Sequence, residues 1–198
     1  EADDLNEYSY AREKEGDLEA ELRPLRETLR RSIPSRITAE ALEAGDTKFA
    51  RLISVLDKLL SENKDEKVVV FTSFRATARY LARRLDESGH RPLIVWGGQG
   101  VSKHEIITQF KVDSTVRVLV STEVAAEGVD LQFCRVVVNY DLPWNPTRIE
   151  QRIGRIDRLG QAADRIFAWN LFFSDTIDDR VVNRLLARLS TFESALGE

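Results

Sequence analysis

The chain has 198 residues, 42% of them hydrophobic, enough for one domain with attachments and a sizeable core. A charged fraction of 31% and a net charge of −4 exclude both a disordered polyelectrolyte and a strongly basic nucleic-acid module. Any contact with nucleic acid is therefore local, or shared with another piece.

The first 35 residues are polar. Leu18, Leu22, Leu25 and Leu29 follow a 4-3-4 spacing that predicts an amphipathic helix, kinked at Pro24 and ended by Pro34. A short helix within 35–46 stops near Gly45. A well-patterned helix from Asp46 to Ser61 then presents Phe49, Leu52, Ile53, Leu56 and Leu60, with Asp46 as its N-cap. The acidic excess lies in this front part. Residues 1–66 hold 17 acidic and 11 basic side chains, whereas residues 67–198 hold 16 and 18. We divide the chain into a helical, acidic connecting segment, 1–46, and a second unit, 47–198.

From residue 67 the texture changes. Val68 to Phe71 is a short, continuously apolar strand, as in a parallel sheet covered on both faces. A helix carrying Ala78, Leu81, Ala82 and Leu85 follows and closes at Gly89. Pro92 to Val95 is a second strand, and a helix with Ile106, Ile107 and Phe110 comes next. Val116 to Val120 is a third strand, and Thr122 to Asp130 a loop or short helix. Arg135 to Asn139 is a fourth strand, with Cys134 beside it as a buried small hydrophobe. Pro146 opens a helix, Ile166 to Leu171 is a fifth strand, and a final helix runs from Thr176 to Ser194 with Ile177, Val181, Leu185, Leu189 and Phe192 aligned. Five alternations of strand and helix predict a doubly wound, mostly parallel α/β fold with an N-terminal helical appendage. Ligands in such folds sit at the carboxyl ends of the strands.

Three stretches carry chemistry. The first follows Pro146. On a helix at about 100° per residue, Arg148, Arg152 and Arg155 share one face, and Ile149, Ile153 and Ile156 the other. Arg158 lies at the helix end beside Gly160. Guanidinium forks onto phosphate oxygens, but salt bridges to Glu150, Asp157 and Asp164 would give a plain solvated face. The second is Thr72-Ser73-Phe74-Arg75, where the hydroxyls either cap the next helix or the helix N-terminus takes a phosphate. The third is Ser121 to Leu131, either a phosphodiester contact built on Ser121, Thr122, Gly128 and Asp130 or a capped turn with a buried aspartate. Trp144 packs its helix onto the sheet in preference to stacking on a base. With two histidines and one cysteine there is neither a metal cluster nor an internal disulfide, which suits a reducing compartment. No apolar run is long enough for a leader or a membrane span. The absence of methionine and the start at Glu1 point to a trimmed or processed piece.

Gln151-Arg152-Ile153-Gly154-Arg155-Ile156-Asp157-Arg158 resembles motif VI of superfamily 2 helicases and translocases, and Leu159-Gly160-Gln161 resembles the SWI/SNF-type branch. Ser121-Thr122 with Gly128-Val129-Asp130-Leu131 resembles motif V, and Thr72 to Arg75 resembles motif IV. Tyr140-Asp141-Leu142-Pro143-Trp144-Asn145-Pro146 resembles the signature preceding motif VI in SWI/SNF-type proteins. The resemblance spans Lys48 to Phe192 and is nearest to prokaryotic RNA-polymerase-associated translocases. Glu127 departs from it, standing where that branch often has a second glycine.

The resemblance implies the second RecA-like lobe of an ATP-dependent DNA translocase. Arg155 and Arg158 would be the catalytic arginine fingers. Gln151, Gly128 and Asp130 would lie near the nucleotide, and Thr72, Ser73, Phe74, Arg75, Ser121 and Thr122 would contact nucleic acid, here duplex DNA. The sequence has no Gly-x-x-x-x-Gly-Lys-Ser/Thr loop and no Asp-Glu pair closing a strand. ATP and Mg²⁺ would thus depend on an N-terminal RecA-like lobe, and the chain alone would be inactive. The implied setting is a prokaryotic cytoplasm, at the nucleoid, with a protein partner for the acidic front segment. Two alternatives stand beside this: a non-catalytic interaction module on a degenerate lobe, and an RNA helicase lobe. The upstream reading frame separates the first of them, because a degenerate protein would lack the phosphate loop.

Overall fold

The computed structural model describes residues 24, 27–28, 38–99, 102–122, 128–143, 145–158 and 160–173. The leucine-spaced helix of the front segment, the 123–127 stretch, Trp144, Leu159 and the final helix from Thr176 to Ser194 lie outside them. The chain divides into two compact units, Glu1–Asp46 and Thr47–Glu198.

In the first unit, helix α1 (Ala39–Ala44) starts where the Thr38 side chain accepts a hydrogen bond from the Ala41 amide. It stops at Gly45, and it buries none of its residues.

The second unit is built on one sheet. Its strands are β1 (Val68–Thr72), β2 (Leu93–Val95), β3 (Val118–Thr122), β4 (Val136–Asn139) and β5 (Phe167–Asn170). They lie in the order β2-β3-β1-β4-β5, and every pairing is parallel. Helices α2 (Thr47–Glu62), α3 (Arg75–Glu87), α4 (Lys103–Val112) and α5 (Pro146–Ile153) connect them or flank them.

The continuous apolar runs are explained by cover on both faces. On one face Val68, Val70, Val118, Val120, Val136 and Val138 meet Phe49, Leu52, Leu56 and Leu60 of α2 and Ala78, Leu81 and Leu85 of α3. On the other, Val69, Phe71, Leu119 and Val137 meet Ile106, Ile107 and Phe110 of α4 together with Leu131, Cys134 and Ile156. Side chains alternate faces along each strand, so a run of valine and leucine feeds two cores at once. Helix α3 ends in a Schellman turn. The His90 amide donates to Leu85 O and the Gly89 amide to Asp86 O, with Gly89 at φ 86°.

The amino ends of the strands are tied by cations. Lys67 Nζ donates to the Asp113 and Val116 carbonyls at 2.7 and 2.8 Å. The Arg117 guanidinium donates to the carbonyls of Leu60, Asn63 and Glu66. Arg135 pairs with Glu66 at 2.7 Å, which holds its guanidinium more firmly protonated. Each of these residues immediately or nearly precedes a strand. They close that end of the sheet and leave the carboxyl end for chemistry.

Three differences from the expected element boundaries bear on the carboxyl end of the sheet. Strand β3 runs two residues further than expected, to Thr122, because Ser121 and Thr122 pair with Phe71 and Thr72 of β1. Strand β1 likewise reaches Thr72. Helix α5 ends at Ile153, with Gly154 as its cap, so Arg155 and Arg158 lie in turns beyond the helix.

Cys134 is buried, and burial raises its thiol pKa far above the ordinary value. It is therefore a neutral thiol at physiological pH, and only the thiolate is nucleophilic. Iodoacetamide at pH 8 should leave Cys134 unmodified in the folded chain and label it fully in guanidinium chloride. Labelling at equal rates in both, read by mass spectrometry, would contradict this packing.

Candidate functional site

At the carboxyl end of the sheet, the ends of β1 and β4 face each other. Asp141, two residues past β4, turns its carboxylate back onto β1. It accepts from the Thr72 hydroxyl, and from the Ser73 amide and hydroxyl at 2.8 Å each. The Phe74 amide donates to Thr72 Oγ1 at 3.3 Å. Thr72 and Ser73 therefore do not cap α3. Its N-cap is Phe74, which makes no side-chain capping bond.

Arg152 enters this network from α5. It is 2% exposed. One terminal nitrogen donates to Asn139 Oδ1 and to the Asp141 carbonyl, both at 3.0 Å, and the other to Ser73 Oγ at 3.2 Å. The Asp141 carboxylate is 3.9 Å away, and the Phe71 ring lies beneath the guanidinium. Asn139 passes its own amide to Asn170 Oδ1 on β5. One buried cation thus joins β1, β4 and α5, and through Asn139 it reaches β5. The expected arrangement, with Arg152 beside Arg148 and Arg155 on a solvent face, is corrected. Arg152 belongs with Ile149 and Ile156, both fully buried.

The arginine turns lie against the segment that follows β3. The Leu131 amide donates to the Arg155 carbonyl at 3.4 Å. Asp130 Oδ1 closes a turn on the Gln132 amide at 3.0 Å. Gly128 has φ 73°, a conformation that side chains resist, and a Cβ there would meet open space. The Gln161 side chain donates to Ile156 O and Cys134 O, both at 2.9 Å, and accepts from the Ala163 amide. Gly160, at φ 104°, lies so close to Gln132 Oε1 that a Cβ would stand 3.1 Å from it. These bonds hold the backbone at Arg155, Ile156 and Gln161 near Leu131 and Cys134 without using an arginine side chain.

Arg155 is half-buried and Arg158 exposed, and neither guanidinium has a hydrogen bond or ion pair among the described residues. The salt bridges of the plain surface reading, from Asp157 and Asp164, do not form to them. Gln151, Gly128 and Asp130 are exposed. Phe74 and Arg75 are exposed at the start of α3. The hydroxyl contacts expected of Thr72, Ser121 and Thr122 are not available in this arrangement, because all three residues are at most 4% exposed. Ser121 Oγ donates to the Thr122 carbonyl, and Thr122 Oγ1 accepts from the Gly97 amide. Ser73 is exposed, but its hydroxyl and amide are already given to Asp141.

Sequence reasoning missed Asp141, Asn139 and the role of Arg152. The signal was present: Ile149, Arg152 and Ile156 stand at i, i+3 and i+7, the spacing of a core-facing stripe.

The family model described as the helicase conserved C-terminal domain matches residues 48–160. An uncharacterized ATP-dependent helicase of Bacillus subtilis, YqhH, is 38% identical over 152 residues, which is 77% of this chain and 27% of that protein. The RNA polymerase-associated protein RapA of Vibrio campbellii is 29% identical over 164 residues, covering 80% of this chain and 17% of RapA. The chain therefore spans well under a third of the length of these relatives. Among solved structures, the C-terminal part of the Fun30 ATPase domain superposes with a TM-score of 0.66 at 22% identity, over 85% of this chain and 53% of that one, which shows a shared fold.

Removing Arg152 strips Asn139 and the Asp141 carbonyl of a buried donor. Arg152→Ala should lower unfolding free energy by about 3 kcal/mol, as for other broken buried charge networks. Arg152→Lys, which cannot fork, should recover only part of it. A urea midpoint unchanged in Arg152→Ala would show the network to be inessential.

Proposed function

The chain belongs to the helicase conserved C-terminal domain family, and on that premise we propose that it is the second motor lobe of an ATP-dependent translocase acting on duplex DNA. The observation that supports this most is the pair of guanidiniums. Arg155 and Arg158 are held by backbone bonds next to Asp130 and have no partner among the described residues. A cation presented in this way needs an anion that the described residues do not supply.

In this reading a first RecA-like lobe holds the triphosphate and Mg²⁺, and ATP closes the cleft between the lobes. Arg155 and Arg158 then reach the γ-phosphoryl oxygens and offset the negative charge that spreads over them as the phosphoryl group leaves. Gln151 and Asp130 border the nucleotide, and the open positive-φ turn at Gly128 lets backbone approach it. Hydrolysis removes the bridging charge, the cleft opens, and the lobe shifts along the nucleic acid. The carboxyl end of the sheet, at Ser73 to Arg75 and the backbone near Thr122, faces the strand. The relatives' names support ATP use and, for RapA, association with RNA polymerase. A bacterial, nucleoid-associated setting follows from the same reading, as does a protein partner for the acidic residues 1–46.

The chain alone should show no ATP hydrolysis. Joined to a first lobe that carries the phosphate loop, it should hydrolyse ATP, faster with duplex DNA than with RNA. Arg158→Ala should then lower the rate by roughly 10³-fold or more, the range for lost arginine fingers. Wild-type turnover in that variant would end the motor reading, and stimulation by RNA alone would move it to an RNA helicase lobe.

A further inference from the structure

Gln161 is a residue that the motor reading leaves without a task. It is half-buried, and its polar groups are engaged on two sides. Nε2 donates to the Ile156 and Cys134 carbonyls at 2.9 Å each, and Oε1 accepts from the Ala163 amide at 3.0 Å. Its backbone amide donates to the Arg158 carbonyl at 3.0 Å. Gln161 therefore grips the arginine turn at two carbonyls, those of Ile156 and Arg158.

The bond to Cys134 closes a ring. The Cys134 amide donates to the Leu131 carbonyl at 2.9 Å, and the Leu131 amide donates to the Arg155 carbonyl at 3.4 Å. From Arg155 the ring crosses to Leu131, follows the chain to Cys134, and returns through the Gln161 side chain to Ile156. It joins the arginine turn to the connection between β3 and β4, which also carries Asp130. Gly160 brings the same turn against that connection, since a Cβ there would stand 3.1 Å from Gln132 Oε1.

No other side chain can make this set of bonds. Glutamate lacks the two N–H donors, asparagine is one methylene shorter, and lysine or arginine has nothing to accept from the Ala163 amide. The hydrophobic core does not require the clamp, because Ile156 and Leu131 are fully buried by their own apolar contacts. Ordering a long side chain costs entropy. What the clamp adds is a fixed path for the backbone on both sides of Arg158.

We propose that Gln161 is a positioning residue for the arginine fingers, locking their turn to the connection between β3 and β4 so that both reach the phosphoryl group in one geometry. This rests on the motor reading and deepens it. Gln161 acts through Arg155 and Arg158 and touches no nucleotide itself.

Two measurements test it. In the chain alone, Gln161→Met should quicken amide hydrogen exchange in 131–134 and 155–161 together, and leave β1 at wild-type rates. In the protein joined to a first lobe, Gln161→Met should lower kcat roughly 10²-fold, the scale for a reacting group displaced by about 1 Å. KM for ATP should stay near wild type, because a finger acts in the transition state. In an Arg158→Ala background the same substitution should cost little more, since the group it positions is gone. Gln161→Glu should be slow at neutral pH and regain rate relative to wild type as pH falls, because only the protonated carboxyl restores a donor.

Unaltered exchange, wild-type kcat in Gln161→Met, or losses that multiply fully with Arg158→Ala would each overturn the proposal. Should the methionine variant fail to fold, the glutamate variant decides, and a rate ratio flat across pH would overturn it. If Gln161→Met turns over normally while Arg158→Ala does not, only the positioning role has failed and the motor reading stands. If both turn over normally, the motor reading falls as well.

Discussion

The second unit depends on one buried guanidinium. Taking an arginine out of water costs several kcal/mol unless its charge and its donors are met. The two terminal nitrogens of Arg152 meet theirs with Ser73 just past β1, Asn139 of β4 and the Asp141 carbonyl in the turn after β4. A lysine has the charge but not the fork, and a leucine would leave Asn139 and the Asp141 carbonyl without their donor. The interaction is local to α5, yet its consequence is wider. It sets where α5 ends its descent along the sheet, and so where the chain turns at Gly154. That turn brings Arg155 to Leu131.

The two ends of the sheet are treated differently. At the amino end Lys67, Arg117 and Arg135 bond inward to carbonyls and to Glu66, which consumes their donors and stiffens the frame. At the carboxyl end the backbone is also held, through Asp141, Arg152 and Gln161, but Phe74, Arg75 and Arg158 stay exposed and Arg155 half-buried. Rigid backbone under free side chains is what a binding surface needs, because the ordering cost has been met before a ligand arrives.

The frame was legible in the sequence because apolar pattern dictates it. Val68 to Phe71 and Val136 to Val138 have no polar residue to place, and their short length and β-branched content favour a two-sided sheet that buries all of them. Gly45 and Gly89 marked helix ends through their conformational freedom. Polar residues misled where tertiary partners overrode local preference. Ser121 and Thr122 read as loop hydroxyls, but Phe71 and Thr72 pair with them and carry the strand on. Arg152 read as surface, since a helical wheel sees a charge and not the Asn139 and Asp141 that wait thirteen and eleven residues earlier. Gly154 as a helix stop was visible, but three isoleucines in phase made the longer helix look better than it is.

The unpartnered state of Arg155 and Arg158 has its own physical sense. In water a guanidinium at an exposed turn costs little to leave alone, and its attraction to a unit charge 4 Å away is about 1 kcal/mol. Where a second surface covers the same pair and the effective dielectric constant falls to about 20, that attraction rises to about 4 kcal/mol. A carboxylate partner within this chain would compete for the charge at the moment of closure. Leaving both side chains without a carboxylate partner among the described residues, on a backbone held by Leu131 and Gln161, reserves their electrostatic effect for a site that only a second surface completes.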